Sequence, residues 1–221
     1  MSKSILTINL SPRKQGTSAV MLAKCASYLT ERGHSVQHMD LYSHLTDFQE
    51  IFDAVCSADT LIFAGPCYAN TYPADTIKLL EELASRPDIL HGQKLYGIIQ
   101  GGMPYAHTHV SGLNMLKIFA SKANVVYQGG FVMGLGAMLD GRPLRKLPNG
   151  KKVERQMDIF CKHIHNGTVS PDSVYEASLI KMPRFIVWLL AKLMNNKIDK
   201  TFAERGMDAN LPCPYSADEL I

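Results

Sequence analysis

The segment SPRKQGTS, residues 11–18, stands between an apolar run and a helical pattern. The run before it, ILTINL at residues 5–10, has the β-branched apolar composition of a short buried strand. From Thr17 onward, apolar residues recur at three- and four-residue spacing, and Gly33 is a natural residue to end that helix. Such a strand–loop–helix turn directs free backbone N–H groups and the positive end of a helix dipole toward one point. Hydroxyls and two cations surround this point, which predicts a phosphate site; a simple loop with an N-cap is the alternative.

Four further apolar segments predict strands, and the amphipathic segments between them predict helices. The segment TLIFAGP at residues 60–66 lacks alternation, which indicates burial on both faces, as in a parallel sheet. Five strands that alternate with helices predict an α/β domain with a parallel sheet covered on both sides. The other strands are expected at residues 35–41, 94–100 and 124–131, and later helices at residues 51–58, 73–84, 110–121 and 153–165.

Three of the predicted strand ends carry loops of unusual chemistry. They span residues 11–18, 66–72 and 100–109. In parallel α/β sheets, ligands bind outside the carboxyl ends of the strands, at the point where the strand order reverses. We therefore expect the three loops to meet at one edge of the sheet.

Composition and charge exclude several classes of protein. The net charge is +3, and the only dense basic patch in the sequence lies within residues 142–155, which is typical of a solvated loop rather than of a polyanion site. Neither a cleavable signal nor an apolar run long enough to span a membrane is found. The cysteines, at positions 25, 56, 67, 161 and 213, lack the spacing of a disulfide framework, a metal site or a cluster. These features predict a cytoplasmic protein that binds no nucleic acid.

The segment after residue 167 differs from the rest. A short helix is expected after Pro171, and residues 184–195 form a helix that is apolar on most sides. Such a helix must be covered by the domain or by a second copy of the chain. The last residues, from Cys213 onward, are expected to form an ordered tail.

The order of strand, SPRKQGTS and helix, followed by AGPCY at residues 64–68 and QGGM at residues 100–103, resembles the flavodoxin-like superfamily. It is similar in particular to the NAD(P)H-dependent FMN reductases and flavin quinone reductases. The resemblance covers residues 3 to 167, and it implies a flavodoxin-like doubly wound five-stranded parallel sheet in the order 2-1-3-4-5. Residues 1–167 would form the FMN-binding domain. Residues 168–221 would form a C-terminal helical extension that packs on the domain or on a dimer partner.

The same resemblance implies where FMN is held. The phosphate would lie on hydroxyls and amides of the first loop, the isoalloxazine along the second loop, and its pyrimidine edge against the third. The implied cofactor-binding residues are Ser11, Arg13, Gly16, Thr17, Ser18, Pro66, Cys67, Tyr68, Ala69, Gln100, Gly101 and Gly102.

Several of these side chains have a second interpretation. Cys67 is more simply a small buried side chain, since flavin chemistry needs no thiol. Tyr68 and Tyr72 fit the flavin ring and the protein core equally well. Tyr105 and His109 resemble the catalytic Tyr and His that flavin quinone reductases place after the same strand, but an ordinary surface loop explains them as well.

The resemblance implies an FMN-dependent oxidoreductase that takes hydride from NAD(P)H and reduces a quinone, azo compound, nitro compound or flavin in ping-pong fashion, as a homodimer. A flavodoxin-type electron carrier, or a flavin-binding module without its own NAD(P)H oxidation, is the alternative. Carriers are usually acidic, whereas this chain is mildly basic. The chain also lacks the G-x-G-x-x-G fingerprint of a dinucleotide-binding Rossmann fold after its first strand.

Overall fold

A computed structural model of the chain describes residues 2–181 and 183–206. The chain divides into two units, one of residues 1–180 and one of residues 181–221. The predicted tail from Cys213 onward lies outside the described residues.

The first unit is built on one five-stranded sheet in the order β2-β1-β3-β4-β5. All neighbouring strands run parallel, so the predicted doubly wound α/β fold and strand order are confirmed. The strand order reverses between β1 and β3, and this is where such sheets bind ligands. The strands are β1 (Ser4–Asn9), β2 (Ser35–Asp40), β3 (Thr60–Pro66), β4 (Lys94–Gln100) and β5 (Val126–Met133).

Helices follow each strand and cover both faces of the sheet. Helix α1 ends at Thr30, before Gly33, which adopts the left-handed conformation in the turn that leads to β2. The helices of this unit are α1 (Thr17–Thr30), α2 (Gln49–Cys56), α3 (Ala74–Ala84), α4 (Val110–Lys122), α5 (Gly150–Asn166) and α6 (Ser173–Glu176).

The core lies between the sheet and its helices, and β3 is its centre. Every residue of β3 is buried, as its unalternated sequence predicted. Across the sheet, the ring of Phe131 packs against those of Phe160 on α5 and Tyr175 on α6. The segment after α5, through α6, therefore packs in the first unit, which ends at residue 180.

The second unit contains α7 (Arg184–Glu204), which is longer than the predicted helix. None of its described residues is buried, and large apolar side chains such as Phe185 and Trp188 are mostly exposed. Within the described residues, no helix combines the length and apolarity needed to cross a membrane.

Candidate functional site

The first loop, which connects β1 to α1, is held in a tight turn by its own polar groups. The backbone N–H of Ser11 donates to Asn9 Oδ1 over 3.2 Å, and Asn9 Nδ2 donates to Asp40 Oδ1 over 2.8 Å. Ser11 Oγ then accepts from the N–H of Arg13 over 3.1 Å. A fully buried amide at the end of β1 thus ties the loop to the end of β2.

The first turn of α1 offers unpaired donors. Gly16 caps the helix without a side-chain hydrogen bond, and no acidic residue stands in the first turn. Among the described residues, the N–H groups of Thr17, Ser18 and Ala19 have no acceptor. The buried Ser18 hydroxyl also lacks a partner. Such a helix start favours an anion.

The second loop follows β3 and forms a narrow turn. Tyr68 and Thr71 exchange backbone hydrogen bonds of 2.7 and 3.1 Å, and the two residues between them, Ala69 and Asn70, are both left-handed. Tyr68 is 53% exposed, whereas Tyr72 is 1% exposed and donates its hydroxyl to the Ile98 carbonyl. Tyr72 is therefore a core residue, and Tyr68 alone of the two is free to meet a ligand.

Cys67 begins this second loop and connects it to the third. Its N–H donates to the Gln100 carbonyl over 2.7 Å, and its Sγ lies 3.3 Å from the Thr108 carbonyl oxygen. Burial raises the pKa of the Cys67 thiol above its ordinary value. The half-buried side chain is thus a protonated thiol that joins two loops, and it also lines the cleft described below.

The third loop follows β4, and its first glycine lies directly against a buried imidazole. A Cβ at Gly101 would come within 2.8 Å of His109 Cδ2 and closer still to Nε2. His109 Nδ1 lies 2.9 Å from the Tyr105 carbonyl oxygen, which can only accept, so Nδ1–H donates to it and Nε2 of the neutral ring carries no proton. Burial lowers the pKa of His109, which favours this neutral form.

The two predicted catalytic residues belong to the third loop. His109 is 1% exposed, and the Tyr105 ring stacks on His107 at 5.5 Å between centroids. Neither Tyr105 nor His109 contributes to the lining of the cleft described below. Their catalytic role stays a prediction, and the contact that the structure does show for His109 is with Gly101.

A fourth segment, which the sequence did not single out as part of the site, also reaches it. Residues 134–141, which follow β5 and are called the 134–141 loop here, contact the first loop. The hydroxyl of Thr17 donates to the Gly136 carbonyl over 2.8 Å, and Arg13 forms an ion pair with Asp140. The sequence signal was the repeated glycine at positions 134, 136 and 141, where Cβ atoms would meet neighbouring backbone or Gln100.

These loops enclose one open cleft of about 140 Å³. Every residue predicted to bind the cofactor lines it, except Ser18, which is buried in α1, and Ala69, which is exposed in its turn. Ala137 is an addition that sequence reasoning missed. The lining consists of Ser11, Arg13, Gly16, Thr17, Pro66, Cys67, Tyr68, Gln100, Gly101, Gly102 and Ala137.

The cleft has the chemistry that a flavin mononucleotide requires. One end presents unpaired N–H groups and the Arg13 guanidinium, which suit a phosphate. The other end presents Tyr68 and the backbone of Gly101 and Gly102, which a flat ring can approach closely. Its volume is below the roughly 300–1,000 Å³ of typical ligand sites, so a bound FMN would extend out of it.

A sequence profile described as NADPH-dependent FMN reductase matches residues 4–137. This span runs from the start of β1 to the 134–141 loop, and it includes every cleft residue. No curated protein sequence matches the chain at a significant level.

Solved structures share the fold at low sequence identity. An NADH:FMN oxidoreductase in its apo form is 22% identical, with a TM-score of 0.60 over 79% of this chain and 94% of its own. The Trp repressor binding protein from Bacillus subtilis is 16% identical, with a TM-score of 0.56 over 68% and 97%. General stress protein 14 from Treponema denticola, solved in complex with FMN, is 13% identical, with a TM-score of 0.50 over 75% and 98%.

Proposed function

Because the chain belongs to the NADPH-dependent FMN reductase family, an oxidoreductase family that binds FMN and uses NADPH, we propose a specific reaction and site for it. In the proposed reaction, hydride passes from NAD(P)H through bound FMN to a small acceptor. The acceptor class is a quinone, an azo compound, a nitro compound or a free flavin.

One observation carries this proposal: loops from the ends of β1, β3 and β4 converge on a cleft that presents unpaired N–H groups at one end and glycine backbone at the other. The two ends match the two chemically different parts of FMN. A phosphate dianion suits the α1 N-terminus, where the N–H groups of Thr17 and Ser18 await an acceptor. Arg13 adds a positive charge that attracts the phosphate of FMN, and riboflavin, which has no phosphate, would gain nothing from it.

At the ring end, we assign positioning to the second and third loops. Pro66, Cys67, Tyr68 and Ala69 would follow the isoalloxazine, and Gln100, Gly101 and Gly102 would meet its pyrimidine edge. Backbone N–H groups there would donate to ring oxygens and favour negative charge on that edge. His109 keeps Gly101 in place and Tyr105 holds His109, so both residues act on the ring through the third loop.

The flavin, when bound, supplies the hydride chemistry, and the protein supplies binding, orientation and electrostatics. The cleft is open to solvent and is lined by the exposed Tyr68, and we infer that one face of a bound ring would be open on this side. A nicotinamide and an acceptor would have to use this face in turn, which favours ping-pong kinetics. Double-reciprocal plots at several acceptor concentrations should be parallel; intersecting lines would rule out the shared face.

A visible spectrum of the purified protein tests the reaction itself. We expect a yellow protein, or one that turns yellow on adding FMN, whose colour bleaches when NADPH or NADH is added without oxygen. Reoxidation by a quinone or azo dye should restore the spectrum. A yellow protein that neither cofactor bleaches would instead be an electron carrier, and a protein that takes up no FMN would refute both.

We also propose a homodimer in which the C-terminal extension covers an interface. Support comes from the exposed apolar side chains of α7 and from the open face of the cleft, which a second copy could close. Light scattering should give about twice the mass of 24.5 kDa expected for one chain. A monomeric mass would refute this part alone.

Finally, we propose a cytoplasmic location. The thiols of Cys25 and Cys161 lie 3.5 Å apart without forming a disulfide, and Cys56 is free and exposed. Unbridged thiols are usual in a reducing compartment. Cell fractionation tests this, and recovery of the protein outside the cytoplasm would contradict it.

A further inference from the structure

The 134–141 loop covers the phosphate end of the candidate site. Thr17 donates its hydroxyl to the Gly136 carbonyl, and Gly141 approaches the Gln15 carbonyl too closely for a side chain. Between these two contacts, Asp140 reaches across to Arg13. The loop therefore contacts the first loop at three successive points.

Asp140 lies beyond the part of the chain that matches the family profile, which ends at residue 137. Its backbone is left-handed, at φ 47°. Asp is one of the few residue types that adopts this conformation readily. A short polar side chain such as that of Asp therefore suits this position, where it pairs with Arg13.

The charges at this end of the cleft do not favour a dianion as strongly as the sequence suggested. Arg13 and Lys14 supply two positive charges, and Asp140 offsets one of them. The Arg13 side chain lines the cleft, but its guanidinium is paired with the Asp140 carboxylate. A phosphate that binds at the α1 N-terminus must therefore share Arg13 with Asp140 or take it over.

We propose that Asp140 is a specificity-determining residue that competes with the flavin phosphate for Arg13, an inference that rests on the proposed FMN site. It lowers the affinity for FMN without changing the affinity for riboflavin, which has no phosphate. It therefore reduces the preference of the site for the phosphorylated flavin.

The Asp140→Asn variant is suited to test this. Asn removes the charge, keeps the size and tolerates the left-handed conformation at least as well as Asp. Both partners are well exposed, at 73% for Arg13 and 63% for Asp140, so the pair is weak and the effect is moderate. We expect FMN to bind about two- to fivefold more tightly at low ionic strength.

The measurement is the dissociation constant of FMN and of riboflavin, obtained by titrating flavin-free protein and following flavin fluorescence. For D140N we expect tighter FMN binding, unchanged riboflavin binding, and a difference that shrinks in about 1 M salt, where the Debye length is about 3 Å. The control is Asp88→Asn. It breaks another exposed Arg–Asp pair, with Arg86 at 3.2 Å, at the opposite ends of the strands, and should change neither constant.

The Arg13→Gln variant separates this inference from the proposed function. R13Q should lose much of the preference for FMN over riboflavin, and D140N should gain less than half as much in the R13Q background as in the wild type. If the wild type shows no preference for FMN over riboflavin, the phosphate does not bind here and the proposed site is wrong; if the wild type shows the preference and R13Q keeps all of it, Arg13 does not contact the phosphate and this inference alone is overturned. If R13Q loses it but D140N binds FMN equally or more weakly, Asp140 does not compete and this inference alone is overturned.

Discussion

The contact between Gly101 and His109 gives a sharp prediction about the third loop. A Gly101→Ala substitution would place Cβ 2.8 Å from His109 Cδ2 and 3.2 Å from Cys67 Cβ. The imidazole has little room to move, because it is buried and its Nδ1–H donates to the Tyr105 carbonyl. Overpacking of this kind costs about 1–3 kcal/mol. We therefore expect G101A to lower the free energy of unfolding by about 2 kcal/mol.

The neighbouring glycine is the matched control. A Cβ at Gly102 would meet only the Ala137 Cβ, at an ordinary 3.8 Å. G102A should therefore change the free energy of unfolding by less than about 0.5 kcal/mol. In thermal unfolding of the flavin-free protein, the midpoint should fall by about 4–8 °C for G101A and by less than about 2 °C for G102A.

A second substitution tests whether the contact with His109 causes the loss of stability. Removing the imidazole, in the G101A/H109A variant, frees the space that the new methyl group needs. The double variant should be more stable than the sum of the two single effects predicts, since the two sites are in contact. Equal midpoints for G101A and G102A, or strictly additive effects in the double variant, would refute the reasoning.

Two further predictions concern stability and the first loop. Burial lowers the pKa of His34 and of His109 from the ordinary 6.5, so the unfolded chain binds more protons than the folded chain below that pH. The free energy of unfolding should therefore fall as the pH drops from 6.5. Thermal scans of His34→Gln should show a shallower fall with pH, and an unchanged slope would contradict the assignment. Asn9→Ala removes the acceptor of the Ser11 N–H and the donor to Asp40, so we expect the free energy of unfolding to fall by about 1–3 kcal/mol and FMN to bind more weakly. An unchanged FMN affinity in a fluorescence titration would show that the first loop does not need this amide.

The strands were predictable because their sequences are short apolar runs between turn residues. The bounds of β3 and β4 agree with the prediction to the residue, since both strands are central and apolar throughout. Their order followed from the resemblance, and the clustering of three loops followed from the parallel direction of the strands. The existence and the bounds of these strands therefore depend on local sequence.

Other features depend on tertiary packing that no local pattern records. Tyr68 and Tyr72 lie in one turn with similar surroundings in the sequence, yet one is exposed and the other is buried under Ile98. His109 is buried beside Gly101, eight positions earlier, which no local pattern in the sequence indicates. Helix α7 extends beyond residue 195 because polar helix-forming residues continue it without an apolar pattern.

The 134–141 loop was missed for a related reason. Ala137 has no functional group, and Asp140 is an ordinary loop residue until the chain brings it to Arg13. The glycines of this connection were visible in the sequence, but the neighbours that require them were not.

The central claim is that the start of α1 holds the phosphate of FMN, and the ratio of riboflavin and FMN dissociation constants tests it most directly. In the wild type we expect FMN to bind at least about a hundredfold more tightly, which corresponds to one or two charge-assisted hydrogen bonds to the phosphate. The Thr17→Ala/Ser18→Ala double variant keeps the backbone N–H donors and removes only the hydroxyls, of which that of Thr17 is bonded to the Gly136 carbonyl, so it should lower the ratio by less than about tenfold. Equal affinity for the two flavins in the wild type would contradict the claim.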